Sequence, residues 1–188
     1  MHEEFRTEQF AESFIGVWKR VVTDPRGFFQ DMPIRGGIQA PLLFLVGCLV
    51  LAALGFLVVG PRGIGLSLVF WGTVRSFLYA VVFMLIARQV FSGIADYEAH
   101  YRVVAYATAP MALMWIPLVG SLAFLYTLFL VIVGLERING FDAVKSVLTV
   151  LLASLVLLVL GWAFGFHHYG YPGPYHHAGG GMAMGCHR

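Results

Sequence analysis

Charge is what this chain has least of. Of its 188 residues only 12% are charged, against 59% hydrophobic, and the mean hydropathy reaches +0.80. A soluble domain carries roughly 25% charge because its surface has to face water, so this shortage excludes that class and predicts an integral membrane protein. Net charge is only +2, and no basic block is interleaved with aromatics, which argues against a nucleic-acid partner. Cysteine is scarce too: Cys48 lies in an apolar run and Cys186 near the far end, so no disulfide framework is expected. The opening MHEEFRTEQF has neither the basic region nor the apolar core of a secretory signal, so the first membrane helix is expected to direct insertion. Paired catalytic carboxylates, a nucleophile elbow, a phosphate loop and HExxH are also missing. Enzymatic activity therefore has no support in sequence.

What is present in quantity is long apolar sequence. Ala40–Val59 would rise about 30 Å as a helix, matching a hydrocarbon core. Ile64–Ala87 is long enough to cross with tilt, Leu118–Leu135 and Val147–Phe166 are further spans, and Val103–Ile116 is a shorter one interrupted by Pro110. That third segment crosses only if its helix begins near Tyr97 to Arg102, and with the fourth it forms a tight helical hairpin bent near IPLVG. Ahead of the spans, residues 8–22 place Phe10, Phe14, Trp18 and Val21 opposite Glu8, Glu12, Lys19 and Arg20, the pattern of an amphipathic helix lying on a bilayer. Asp24 as N-cap and Pro25 in the first turn then predict a short helix through Met32, ended by Pro33 and the RGG at 35–37.

Basic residues orient the chain. With five crossings, Arg6, Lys19, Arg20, Arg26, Arg35, Arg88, Arg102, Arg137 and Lys145 share one side, and only Arg62 and Arg188 lie on the other. Positive charge collects in the cytoplasm, so the N-terminus is expected there and the C-terminal tail outside. A re-entrant third segment would move Arg137 and Lys145 outside, against that bias. The expected architecture is an all-α bundle of five transmembrane helices in the cell inner membrane. It comprises a cytoplasmic amphipathic segment at 1–38, the span region at 39–166 and a flexible tail at 167–188.

Three stretches carry a family likeness. Trp18, Pro25, the Phe28–Phe29 pair and Met32 precede APLLF, YRVVAYATAPMALMWIPLVG follows at 101–120, and VIVGLERINGFDAVKSV comes after it. Together, over roughly residues 14–166, they resemble the bacterial branch of the Yip family, whose name refers to binding Ypt/Rab GTPases. The resemblance implies a five-span bundle with a cytoplasmic N-terminus. In eukaryotic relatives it implies a role in vesicle traffic through small GTPases and membrane-shaping partners, although this short N-terminal region lacks a long segment for docking a GTPase.

Several residues could carry chemistry. Arg75, inside the second span, would cost about 2.5–3.5 kcal/mol unpaired near the bilayer centre, so it calls either for a ligand or ion site in the bundle or for snorkelling to lipid phosphate. Pro110 frees the carbonyl around Tyr106, and Tyr101, Arg102, Tyr106 and Pro110 fall roughly on one face, where a polar cavity would form. Asp96, Glu98 and His100, with Glu136 and Asp142 on the same side, suit either a divalent cation or helix capping. The tail is the richest ligand set: His167, His168, His176, His177 and His187 with Met182, Met184 and Cys186. Imidazole suits Zn, Ni and Cu, while thioether and thiolate favour Cu(I), so these residues fit capture of copper or another soft transition metal.

No cofactor is otherwise implied. The first functional expectation is thus a non-enzymatic membrane protein acting through the lipid bilayer and a membrane protein partner. A metal-handling protein or small transporter and an oligomeric small-solute channel are the alternatives. Glycines at 47, 55, 72 and 134 would permit close packing within one chain or in a homo-oligomer.

Overall fold

The computed structural model describes residues 10–59 and 64–163. These form seven α-helices and, among the described residues, no strand. Helix α1 (Phe10–Thr23) runs into α2 (Pro25–Asp31), and four helices are long and apolar enough to cross a membrane: α3 (Gln39–Val59), α4 (Ile64–Phe91), α6 (Val119–Asn139) and α7 (Ala143–Ala163). Between α4 and α6 lie the 11-residue α5 (Tyr97–Ala107) and a 3-10 turn over Ala109–Leu113.

Local chemistry sets these boundaries. Asp24 accepts a bond from Gly27 N at 3.1 Å, and Pro25 supplies a first helical position that needs no N–H, so α2 starts where the sequence predicts. Gly140, at φ 66, leads the chain out of α6, with Phe141 N donating back to Glu136 O at 3.1 Å. Two residues on, Asp142 Oδ1 accepts from Lys145 N at 3.2 Å and starts α7. The apolar segment 103–116 is not one continuous helix. Pro110 has no N–H for the Tyr106 carbonyl, so α5 stops at Ala107 and the chain tightens into the 3-10 turn. Pro117 and Leu118 then reverse it, with Leu118 at φ 66 and Val119 N bonded to Pro117 O at 2.8 Å, a strained γ-turn.

Contacts at the helix ends define the topology. Arg35, ahead of α3, meets Asp96, and the α4–α5 junction meets the end of α6 through Ala95 and Asn139. At the opposite end Trp115 lies over Gly55 of α3, and the start of α4 returns against Ala53. Helix α3 therefore runs from the first end of the bundle to the second and α4 returns, while the segment from α5 to Trp115 again runs from the first end to the second and α6 returns, parallel to α4.

Helix α5 is the core of this arrangement, with every residue from Ala99 to Ala107 buried. Small side chains bring the neighbours close: Gly134 of α6 packs directly on Val103, and Gly72 of α4 on Leu49 of α3. Phe77 stacks on Tyr101 at 4.7 Å between ring centroids. Helices α1 and α2 seal the other side, burying Phe14, Val17, Val21, Phe28 and Phe29 while Glu12, Ile15 and Lys19 stay exposed. The outward faces of α3, α4 and α7 are apolar, with Val58 83%, Leu66 88% and Trp162 77% exposed. In water such a continuous apolar belt would be an aggregation surface, whereas hydrocarbon is its natural solvent.

Candidate functional site: a polar clasp and a broken helix

The polar residues of the bundle gather at one end, where three junctions meet. Arg102 projects from α5 and is fully buried. Its guanidinium donates to Gly37 O at 2.9 Å and lies 3.4 Å from Glu98 one turn earlier. Glu98 in turn accepts from Gly37 N at 2.6 Å, so the Gly37 peptide is gripped on both sides. Only glycine adopts this path easily, since φ is +142 at Gly36 and +84 at Gly37. The RGG stretch, read in the sequence only as a helix stop, is the seat of this grip. Outside it, Asp96 bridges Arg88 at 2.7 Å and the more exposed Arg35 at 3.5 Å.

A second, neutral relay lies beside the first. Ala95 N donates to Asn139 Oδ1 at 3.2 Å, which fixes the orientation of the amide. Asn139 Nδ2 then faces His100 Nε2 at 3.3 Å as donor, and His100 Nδ1 faces Asp96 O at 3.0 Å. These partners select the neutral imidazole with its proton on Nδ1. His100 stands ahead of the apolar stretch 103–116, and burial holds its pKa below the ordinary value; the Arg88 charge acts in the same direction, against the opposing pull of Asp96. Gly93 completes the contact, since a Cβ there would lie 2.6 Å from Asn139 Oδ1. The relay ties the α4–α5 junction to the end of α6.

The carboxylates and histidine of the 96–100 cluster are thus engaged with arginines, backbone and Asn139. Among the described residues no group of three or more His, Cys, Asp or Glu is placed to hold a metal ion. The tail ligands His167, His168, His176, His177, Met182, Met184, Cys186 and His187 lie outside the described residues.

The broken helix has its own arrangement. Pro110 is buried under Trp18 in an apolar groove of about 470 Å³ between α1 and α6. Trp18 Nε1 donates to Ala109 O at 2.8 Å, so an indole meets a carbonyl at the break, beside the face where the sequence suggested a polar cavity. Tyr106 packs against Phe28 and Phe44, with ring centroids 5.0 and 5.2 Å away. Arg75 does not join them. It stands exposed on α4, in a separate groove against α7.

Asn139, Gly37 and Trp18 are the residues that sequence reading missed here. Trp18 was legible as an apolar-face aromatic but not as a donor. Asn139 had one available signal, a lone amide between two apolar segments at a helix end.

Four long apolar helices with a lipid-facing belt, packed around a short buried one, define a multi-pass helical membrane protein. Within that class the chain belongs to the Yip1 domain family, which it matches over residues 19–165. No curated protein and no solved structure matches it.

Proposed function

We propose that this protein is a non-enzymatic organiser of the bacterial inner membrane, acting through the bilayer and a membrane protein partner. The observation that carries the reading is how the polar groups are spent. Arg102, Glu98, Asp96, His100 and Asn139 bind one another and the ends of α3, α4 and α6. Such a clasp makes a stiff body that presents its apolar outer faces to lipid.

In this reading the chain crosses five times, the broken segment Val103–Ile116 providing the third crossing. Its N-terminus is cytoplasmic and its tail extracytoplasmic, in line with nine basic residues on the clasp side against Arg62 and Arg188 on the other. Helix α1 then lies at the cytoplasmic interface with Lys19 and Arg20 towards headgroups. The tail carries a second reading, capture of a soft transition metal, which rests on its five histidines, two methionines and one cysteine.

Reconstitution tests the first reading. Full-length protein in vesicles should shift their size distribution while retaining a trapped small solute. Rapid, protein-dependent solute release would replace an organiser with a channel.

A further inference from the structure

Among the described residues Arg75 is the one charged residue in the middle of a membrane-length helix, and its surroundings are specific. Helix α4 has 28 residues, and Arg75 lies about 16 Å along it from Ile64 and about 24 Å from Phe91, nearer the end opposite the clasp. A hydrocarbon core is about 30 Å thick, so the guanidinium sits inside it but within snorkelling range of that leaflet's phosphates. Trp71, Arg75 and Tyr79 follow one another at four-residue steps and so form a stripe on one helix face. Together with Val74 and, across the groove, Leu157 and Gly161 of α7 they line a cleft of about 380 Å³.

The cleft is almost wholly apolar apart from that cation, so its occupant needs an anionic head and an apolar body. All ten carboxylates of the chain precede α3 or flank the α4–α5 and α6–α7 junctions, and none lies within α3, α4 or α7. A second copy pressing one of those helices into the cleft therefore brings no counter-ion. Lipid does. We infer that the α4–α7 cleft is a binding site for one anionic phospholipid, whose headgroup phosphate pairs with Arg75 while an acyl chain lies along Leu157 and Gly161. Trp71, one turn nearer that interface, suits the glycerol level, where amphipathic rings concentrate, and Tyr79 lies one turn deeper.

Native mass spectrometry of the full chain in detergent, titrated with phosphatidylglycerol or phosphatidylcholine, tests this. The first phosphatidylglycerol should bind about tenfold more tightly than phosphatidylcholine, because the choline ammonium of the latter already offsets the charge that its phosphate offers to Arg75. Arg75→Gln should abolish the difference, whereas Arg35→Gln at the other end should leave it intact. Gly161→Phe should weaken both lipids with Arg75 untouched; a Cβ at Gly161 meets nothing within 4 Å, so the substitution starts from open space. Equal binding of the two lipids to the unaltered chain would overturn the site, as would a preference that survives Arg75→Gln. Displacement of the lipid by inorganic phosphate, or a dimer that Arg75→Gln dissolves, would assign the cleft to another occupant.

Discussion

Replacing Gly134 by alanine puts the packing of α5 along α6 to a quantitative test. A Cβ at this position would lie inside the van der Waals envelope of both Val103 methyls. Val103 is fully buried and β-branched, so it has no rotamer into which to retreat. Overpacking of this kind costs about 1–3 kcal/mol, offset by about 1 kcal/mol because alanine is the better helix former. Gly134→Ala alone should therefore destabilise by up to about 2 kcal/mol. Val103→Ala alone removes two buried methyl groups, at about 2 kcal/mol. In the Val103→Ala background the methyls are gone, and Gly134→Ala should change sign and stabilise by about 1 kcal/mol. Gly16 on the exposed face of α1 meets nothing within 4 Å, so Gly16→Ala should stabilise by a similar amount in either background. Helical circular dichroism followed through thermal unfolding in detergent reads the unaltered chain and all five variants. Additivity of the two core substitutions to within about 0.5 kcal/mol would mean that Val103 does not lie over Gly134, and the arrangement of α5 and α6 would fail with it.

The clasp makes two further predictions. Glu98→Gln keeps an acceptor for Gly37 N but removes the charge facing the buried Arg102, and should cost about 1.5–3 kcal/mol of stability. Arg35→Gln at the exposed rim should cost less than about 1 kcal/mol, and equal losses would deny the grip its buried character. For His100 the sign follows from its lowered pKa. The unfolded imidazole takes up a proton near pH 6.5 while the folded one does so only at lower pH, so the unfolded state binds more protons in between. Stability should hold above pH 7 and fall as the pH drops below about 6.5, because the new Nε2–H would point at the Asn139 amide donor. His100→Gln should flatten that slope. For the tail, metal analysis of protein purified without a metal column should find near-stoichiometric copper, nickel or zinc on the full chain and none on a chain ending at Phe166. Equal content in the two would remove the metal-capture reading.

Helix α3 was legible almost to the residue, because Ala40–Val59 is a continuous apolar run closed by Gly-Gly before it and Gly-Pro after it. Asp24 and Pro25 announced α2 by cap chemistry that acts over three residues. The third apolar segment was harder. Pro110 flagged a break, but nothing local signals that the indole of Trp18, 91 residues away, meets the Ala109 carbonyl there. Distance in sequence hid the clasp for the same reason. Arg102 and Gly37 are 65 residues apart and His100 and Asn139 are 39 apart, and helix order alone brings them together. Asp96, Glu98 and His100 were visible as a cluster, yet a linear pattern does not distinguish side chains aimed at an ion from side chains committed to arginines and backbone.

The number of crossings decides whether the clasp faces the cytoplasm and the tail the exterior. An alkaline phosphatase fused after Arg188, an enzyme that folds to its active form only outside the cytoplasm, reads this directly in cells. Five crossings predict full phosphatase activity. An inactive phosphatase there, together with a fluorescent cytoplasmic reporter at the same position, would contradict the five-crossing bundle.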